Sequence, residues 1–328
     1  MIHKNAYPGD RAALPANAAM AATRFMPGIV LAALLLLLPA VVYAEKIKTS
    51  LLVPKTSGAA KMIYDQVVSG VVNHPDLDVS IIDLKSNATA EKVDRTIERQ
   101  GSELLIALGN KSYQLSRELA APQTVIAGGI SGKPNGIPTL SLTGDPGPTL
   151  ARLKELAPDV SELRLVYNEA INGWWYSRVL EAAPDYGITV TGYAADDLKQ
   201  GVKLYEQLLE DANAGRTAVW IPLRSIVPSK TILPLLLDKA WSKKLAVISN
   251  NPSHTKLGGL VAVFPDHEKM GNQLAEFAIA HHQGKNAPQI MGTSDLRTAI
   301  NIRTSSHIGI RLSAKDLERY DRIFPAQR

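Results

Sequence analysis

After residue 45 the sequence repeats one unit: a short apolar run, a polar or Gly-containing loop, then a helical pattern. This grammar limits the folds open to it. Residues 46–53 read KIKTSLLV, and after Pro54-Lys55-Thr56-Ser57-Gly58 a helical pattern sets apolar positions at Met62, Ile63, Val67 and Val68. The unit recurs at 77–84 with a helix around 90–99, and at 104–108 with Gly109-Asn110-Lys111-Ser112 and a helix to 119. A strand at 125–127 runs into Gly128-Gly129-Ile130-Ser131-Gly132. A second cycle begins near residue 160, after a Pro/Gly-rich passage over 134–148 and a helix over 149–156. Its strands are expected at 163–167, 188–191, 218–222, 245–249 and 260–264. Its helices are expected from about 176, over 198–214, over 231–241 and over 267–282. The strands are continuous apolar runs rather than alternating ones, which suits parallel strands covered on both faces by helices. The expected fold class is therefore α/β, as two doubly wound α/β lobes with a cleft between them. A length of 328 residues agrees, at roughly 150 residues per domain.

The first 44 residues read differently. From 27 to 42 the chain is PGIVLAALLLLLPAVV, uncharged, preceded by Arg24 and followed by Tyr43-Ala44. A positive lead, an apolar core and a small-x-Ala exit are the parts of a cleavable secretory signal peptide. The alternative, an uncleaved anchor, is disfavoured by Pro39 and by a run shorter than the ~20 apolar residues of a bilayer span. Met20 gives the compact leader and is the expected true start, with Glu45 the expected mature N-terminus. The chain carries 36 Lys and Arg against 31 Asp and Glu, or +5. Loss of Lys4, Arg11, Arg24 and Asp10 with the leader leaves 33 basic and 30 acidic residues, so the basic excess comes partly from the leader. With no basic run, the charge does not indicate a nucleic-acid partner.

In open parallel sheets, ligands bind beyond the carboxyl ends of the strands, where the βα loops gather. Most of these loops carry Ser, Thr, Asn or Gly just before a helix, which is also what an N-cap requires. Helix N-termini attract carboxylates and phosphates, and Lys55, Lys111 and Arg224 lie in three of the loops, together hinting at an anionic ligand. The candidate ligand residues are Thr56, Ser57, Asn110 and Ser131 from the first lobe, and Asn168, Trp174, Arg224 and Asn250 from the second. Trp174-Trp175 is expected at a loop-to-helix boundary, one ring packed in the core and the other available as a stacking platform at the cleft rim.

Motifs of catalysis are missing. Gly132-Lys133 is followed by Pro134 and lacks the upstream glycine of a phosphate-binding loop, Gly129-Ile130-Ser131-Gly132 is one residue short of a nucleophile elbow, and no G-x-G-x-x-G follows a strand. His281-His282 and His267-Glu268 lack metal-ligand spacing, and Asp196-Asp197 reads as helix capping. The absence of cysteine excludes thiolate catalysis, iron–sulfur clusters, disulfides and a lipid-modified cysteine. No cofactor, no metal and no enzymatic activity are expected.

The C-terminal third carries a resemblance. Residues 258–278, GGLVAVFPDHEKMGNQLAEFA, resemble the GALAS-x-x-P-D-Y-x-x-x-G-x-x-A-A segment of the TrpX-type family of ABC-transporter substrate-binding proteins. Gly284-Lys285-Asn286-Ala287-Pro288 resembles that family's G-x-x-P turn, and 299–305 with Ile308-Gly309-Ile310 its V-I-N-x-K-T-A-x-x-L-G-I ending. Upstream, Leu153-Lys154-Glu155-Leu156-Ala157-Pro158-Asp159 is similar to its L-K-E-L-x-P helix. The resemblance implies a periplasmic-binding-protein type I fold that encloses a ligand by lobe closure. The lobes are then expected over 45–160 with 265–289 and over 161–264 with 290–328. The hinge is expected near 158–162, 262–266 and 288–294.

Departures from the family pattern bear on the ligand. Where members that bind aromatic amino acids carry P-x-D-N, this chain has Pro222-Leu223-Arg224-Ser225, a guanidinium in place of a carboxylate. The family's D-P-V and G-G-N-x-T-G elements are shortened to residues 130–136. The expected ligand is therefore a small anionic or ring-bearing solute rather than a free amino acid. The resemblance implies a periplasmic receptor that hands its ligand to an inner-membrane ABC permease; with no cysteine for lipidation it is expected to be soluble, and a monomer is expected. The alternatives are a receptor read by a sensor protein or an outer-membrane uptake system, and a periplasmic hydrolase using Ser57 or Ser131.

Overall fold

Two parallel-type sheets organise the molecule, and the chain passes between them three times. The computed structural model describes residues 45–120, 123–132, 135–224 and 229–326; the expected leader lies outside them. The first cycle builds β1 (Ile47–Pro54), α1 (Gly58–Val72), β2 (Leu77–Leu84), α2 (Ala90–Gln100), β3 (Leu104–Leu108), α3 (Gly109–Ser116), β4 (Thr124–Ile130) and β5 (Thr139–Gly144). The second builds α4 (Pro146–Leu156), β6 (Glu162–Tyr167), α5 (Glu169–Ala182), β7 (Thr189–Ala194), α6 (Leu198–Glu210), β8 (Thr217–Ile221), α7 (Ser229–Ser242), β9 (Ala246–Ser249), α8 (Pro252–Lys256) and β10 (Val261–Pro265). The chain then returns through α9 (His267–His282) and β11 (Ile290–Thr293) before β12 (Leu296–Asn301), α10 (Ile302–His307), α11 (Ala314–Leu317) and β13 (Arg322–Phe324).

The first sheet has the order β11-β5-β4-β3-β1-β2 and the second β13-β12-β10-β9-β8-β6-β7. Every pairing is parallel except β10 with β12, which is antiparallel because the chain re-enters the second sheet directly from β11. Strands β3, β8, β9 and β10 are buried along their whole length, as their unbroken apolar runs require. One core gathers Leu51, Ile106, Ile126 and Leu274 beside the first sheet; another gathers Leu165, Trp175, Trp220 and Ile248 beside the second.

Several expectations change. Residues 139–144 lie in the Pro/Gly-rich passage yet form β5, because pairing on both sides with β4 and β11 buries Thr139, Ser141 and Thr143. Gly128 and Gly129 belong to β4 rather than to a loop. The register shifts there, and Leu274 of α9 occupies the space a Gly128 side chain would need. Helix α5 begins at Glu169, earlier than expected, since the Asn168 side chain accepts the Ile171 N–H and caps it. Trp174 and Trp175 therefore sit inside a helix.

The crossings also move. The chain leaves the first sheet at Gly144–Asp145 rather than near 158–162, because α4 packs Leu150, Leu153 and Leu156 into the second core. It returns at Pro265–Asp266, and crosses again between Thr293 and Leu296, so β11 belongs to the first sheet instead of the second. The three passages are stitched together: Asp145 N–H donates to Thr293 O (3.1 Å) and Asp266 N–H to Asp295 O (2.9 Å). Asp266 also caps α9 and pairs with Arg297 at 2.8 Å. Burial pushes the Asp266 pKa up, but the bonds from Arg297 and the Lys269 amide outweigh it and hold the carboxyl below its usual range.

Candidate functional site

The carboxyl ends of the strands of both sheets supply a set of polar loops beside the three crossings. In the first lobe, the β1–α1 loop leaves Thr56 half-buried and Ser57 exposed. Ser57 occupies the N-cap position of α1 without using its hydroxyl there, so the capping role anticipated for it is unfilled. Helix α3 starts at Gly109 with no intervening loop; Asn110 is exposed in its first turn, and the Ser112 hydroxyl is buried with no partner among the described residues. Lys111 donates to the Lys85 carbonyl at 3.0 Å, away from the ligand role its position suggested.

Tyr64 of α1, not anticipated from the sequence, is the aromatic wall of this half-site. Its hydroxyl lies where a Gly109 side chain would be, and its ring edge lies 3.6 Å from the corresponding point on Gly129. Both glycines have positive φ, +75° and +68°, so backbone conformation and close approach both demand them. Gly109 and Gly129 each follow an apolar run, a sign that something packs there; which ring does so is set by helix placement.

The second lobe brings Trp174 and Arg224. The half-buried Trp174 donates its indole N–H to the carbonyl of buried Ser131 at 3.1 Å, joining two expected site residues across the lobes. Arg224 is exposed, three residues beyond the end of β8, with φ +53°. That loop is held to α5 by Asn172, whose amide donates to Leu223 O at 3.0 Å. The Arg224 charge acts on Tyr64 from the opposite lobe: burial raises the phenol's pKa, and the guanidinium partly lowers it. Asn168 and Asn250 have their amides engaged in the fold. Asn168 caps α5 and donates to Ala195 O at 2.8 Å; Asn250 accepts from Trp220 Nε1 at 2.9 Å and donates to Val263 O at 3.3 Å.

Behind Asn250, buried His254 lies 2.8 Å from Ser249 Oγ through Nδ1. Burial lowers its pKa from 6.5 to about 4, and burial likewise lowers that of His267. The folded protein thus holds His254 neutral where the unfolded chain is already protonated. A depressed histidine pKa leaves stability intact above 6.5, and stability falls as pH drops from 6.5 toward 4. Between pH 7 and pH 5 the expected loss from His254 alone is about 2 kcal/mol; Asp266, with its lowered pKa, adds a loss at more acid pH. Urea unfolding at the two pH values checks this, with His254→Asn flattening the dependence. An equal pH dependence in that variant would assign the effect elsewhere.

No protein-family model matches the sequence, and no curated protein matches it. Solved structures do. A substrate-binding protein with adhesive properties from Clostridium difficile, in its ligand-free open form, superposes with a TM-score of 0.58 at 16% identity, over 84% of this chain and 98% of that one. An ABC domain in complex with L-Trp from Streptococcus pneumonia superposes with a TM-score of 0.54 at 14% identity, over 85% and 100%. A conserved domain protein from Vibrio cholerae gives 0.52 at 15%, also over 85% and 100%. At these identities the likeness establishes the fold, a two-lobe α/β architecture of the periplasmic-binding-protein type I kind.

Proposed function

We propose that this chain is an exported solute-binding protein related to the TrpX type, which captures a small anionic or ring-bearing ligand between its lobes and delivers it to an inner-membrane ABC permease. The observation that carries the reading is the meeting of the lobes beside three crossing segments, where the Trp174 indole of one lobe donates to the Ser131 carbonyl of the other. An indole, a phenol and a guanidinium on opposing walls suit a ring bearing a negative charge. Thr56, Ser57 and Asn110 supply hydrogen-bond groups at the ends of β1 and β3, while Asn168 and Asn250 brace the opposite wall. The likeness to a protein holding L-Trp supports a ring-bearing solute; Arg224, standing where amino-acid binders carry a carboxylate, favours an anion over an ammonium. Export rests on the leader, and a soluble monomer is the form such a receptor takes. Among the described residues, no helix is long and apolar enough to cross a membrane.

Native mass spectrometry of the purified protein identifies a co-purified ligand, and calorimetry then measures its affinity. Arg224→Ala is expected to cost about 2 kcal/mol, roughly thirtyfold, and small-angle scattering is expected to show a smaller radius with ligand. Stabilisation by amino acids but not by anions, or an unchanged radius with ligand bound, would overturn the reading.

A further inference from the structure

The outer flank of the second lobe carries a cavity that the cleft does not use. The β8–β9 connection carries the 14-residue α7, whereas the β9–β10 connection carries only the five-residue α8. At 1.5 Å per residue the shorter helix covers about a third of the length of its neighbour, and a cavity of about 680 Å³ lies between them. That size falls within the range of small-molecule sites. Its walls are largely apolar: Leu237 and Trp241 are half-buried, and Leu257 beside them is 67% exposed. Its rim is basic. Lys230, Lys256 and Arg303 line it, and among the described residues none has a carboxylate within salt-bridge distance. Arg303 lies instead over the Trp241 ring, 5.4 Å from its centroid. One acidic side chain, Asp238, lines the cavity against these three cations.

We infer that this flank cavity is a second ligand site, distinct from the cleft, for an amphipathic anion: a flexible apolar chain ending in a single carboxylate. The chain covers Leu237 and Leu257 beside the Trp241 edge, and the carboxylate meets the cations of the rim.

Calorimetric titration with octanoate, and with octanol as its uncharged counterpart, tests the assignment. Octanoate is expected to bind and octanol to bind several-fold more weakly. Leu257→Glu, which places a like charge on the apolar wall, is expected to weaken octanoate about tenfold or more, and Arg303→Gln to weaken it several-fold while leaving octanol unchanged. Both positions are exposed, so the variants should fold, and a thermal melt verifies that. No octanoate binding up to about 1 mM, or unchanged binding in Leu257→Glu, would overturn the inference. Neither outcome bears on the cleft, which shares none of these residues.

Discussion

Gly271→Val is expected to remove about 3 kcal/mol or more of stability. Helices α1 and α9 cross with their backbones in contact, through Gly70 on one and Gly271 on the other. A side chain on Gly271 would collide with the Val67 carbonyl oxygen and Gly70 Cα; one on Gly70 would collide with the Glu268 carbonyl oxygen. The obstacle is backbone on a packed helix, so no rotamer relieves it, and the helices must separate. Replacing a helical glycine by alanine ordinarily gains up to about 1 kcal/mol of helix propensity; here even Gly70→Ala should destabilise. The consequence reaches the site, because α9 carries Leu274 onto Gly128 and thereby seats the β4 bulge whose Gly129 lies beside Tyr64. Urea unfolding checks the prediction, and a midpoint equal to or above that of the parent protein would show that the helices are not in contact.

Trp175→Ala is expected to cost about 4 kcal/mol. The ring is 1% exposed and meets Trp220 edge-on, centroids 4.7 Å apart. Its N–H donates to Gly144 O at 3.3 Å, at the first crossing, while Trp220 donates to Asn250 at 2.9 Å. The substitution therefore opens a cavity in the second core, orphans the Gly144 carbonyl at the first crossing and removes the ring that packs on Trp220, the donor to Asn250. Trp175→Phe keeps the aromatic contact and should cost markedly less. Calorimetric melting of the two variants makes the comparison; a cost below about 1 kcal/mol for the alanine would mean that Trp175 does not anchor the core.

Most of the architecture was legible because parallel strands buried on both faces must be continuously apolar, and β3, β8, β9 and β10 read that way. The strands without such a run, β5 and β11 to β13, are short or rich in Thr, Ser and Gly, and their pairing partners decide their state. For the pair Trp174-Trp175, a core role for one ring was readable but which ring was not: Trp175 packs in the core and Trp174 stays partly open at the lobe junction. The start of their helix was misplaced because Asn168 could be read as loop or as cap.

The candidate site divides the same way. Strand ends name the loops, so Thr56, Ser57, Asn110, Ser131 and Arg224 could be listed from position and polarity. Tyr64 could not, since an aromatic residue within a helical apolar stripe looks like core. Hydrogen-bond saturation was equally hidden, and it separates the engaged amides of Asn168 and Asn250 from the Ser57 hydroxyl, which does not cap its helix.

By itself the amino-acid order determined the α/β class, the two cycles and the strand ends where polar loops gather, because burial and periodicity are local properties of a chain. Only the tertiary structure decided where the chain crosses between sheets, that Tyr64 fills the space left by Gly109, and which residues meet across the lobes. Those outcomes depend on contacts between segments tens to hundreds of residues apart, such as Ser131 with Trp174 and Arg178 with Ile290, and no local pattern encodes the partner.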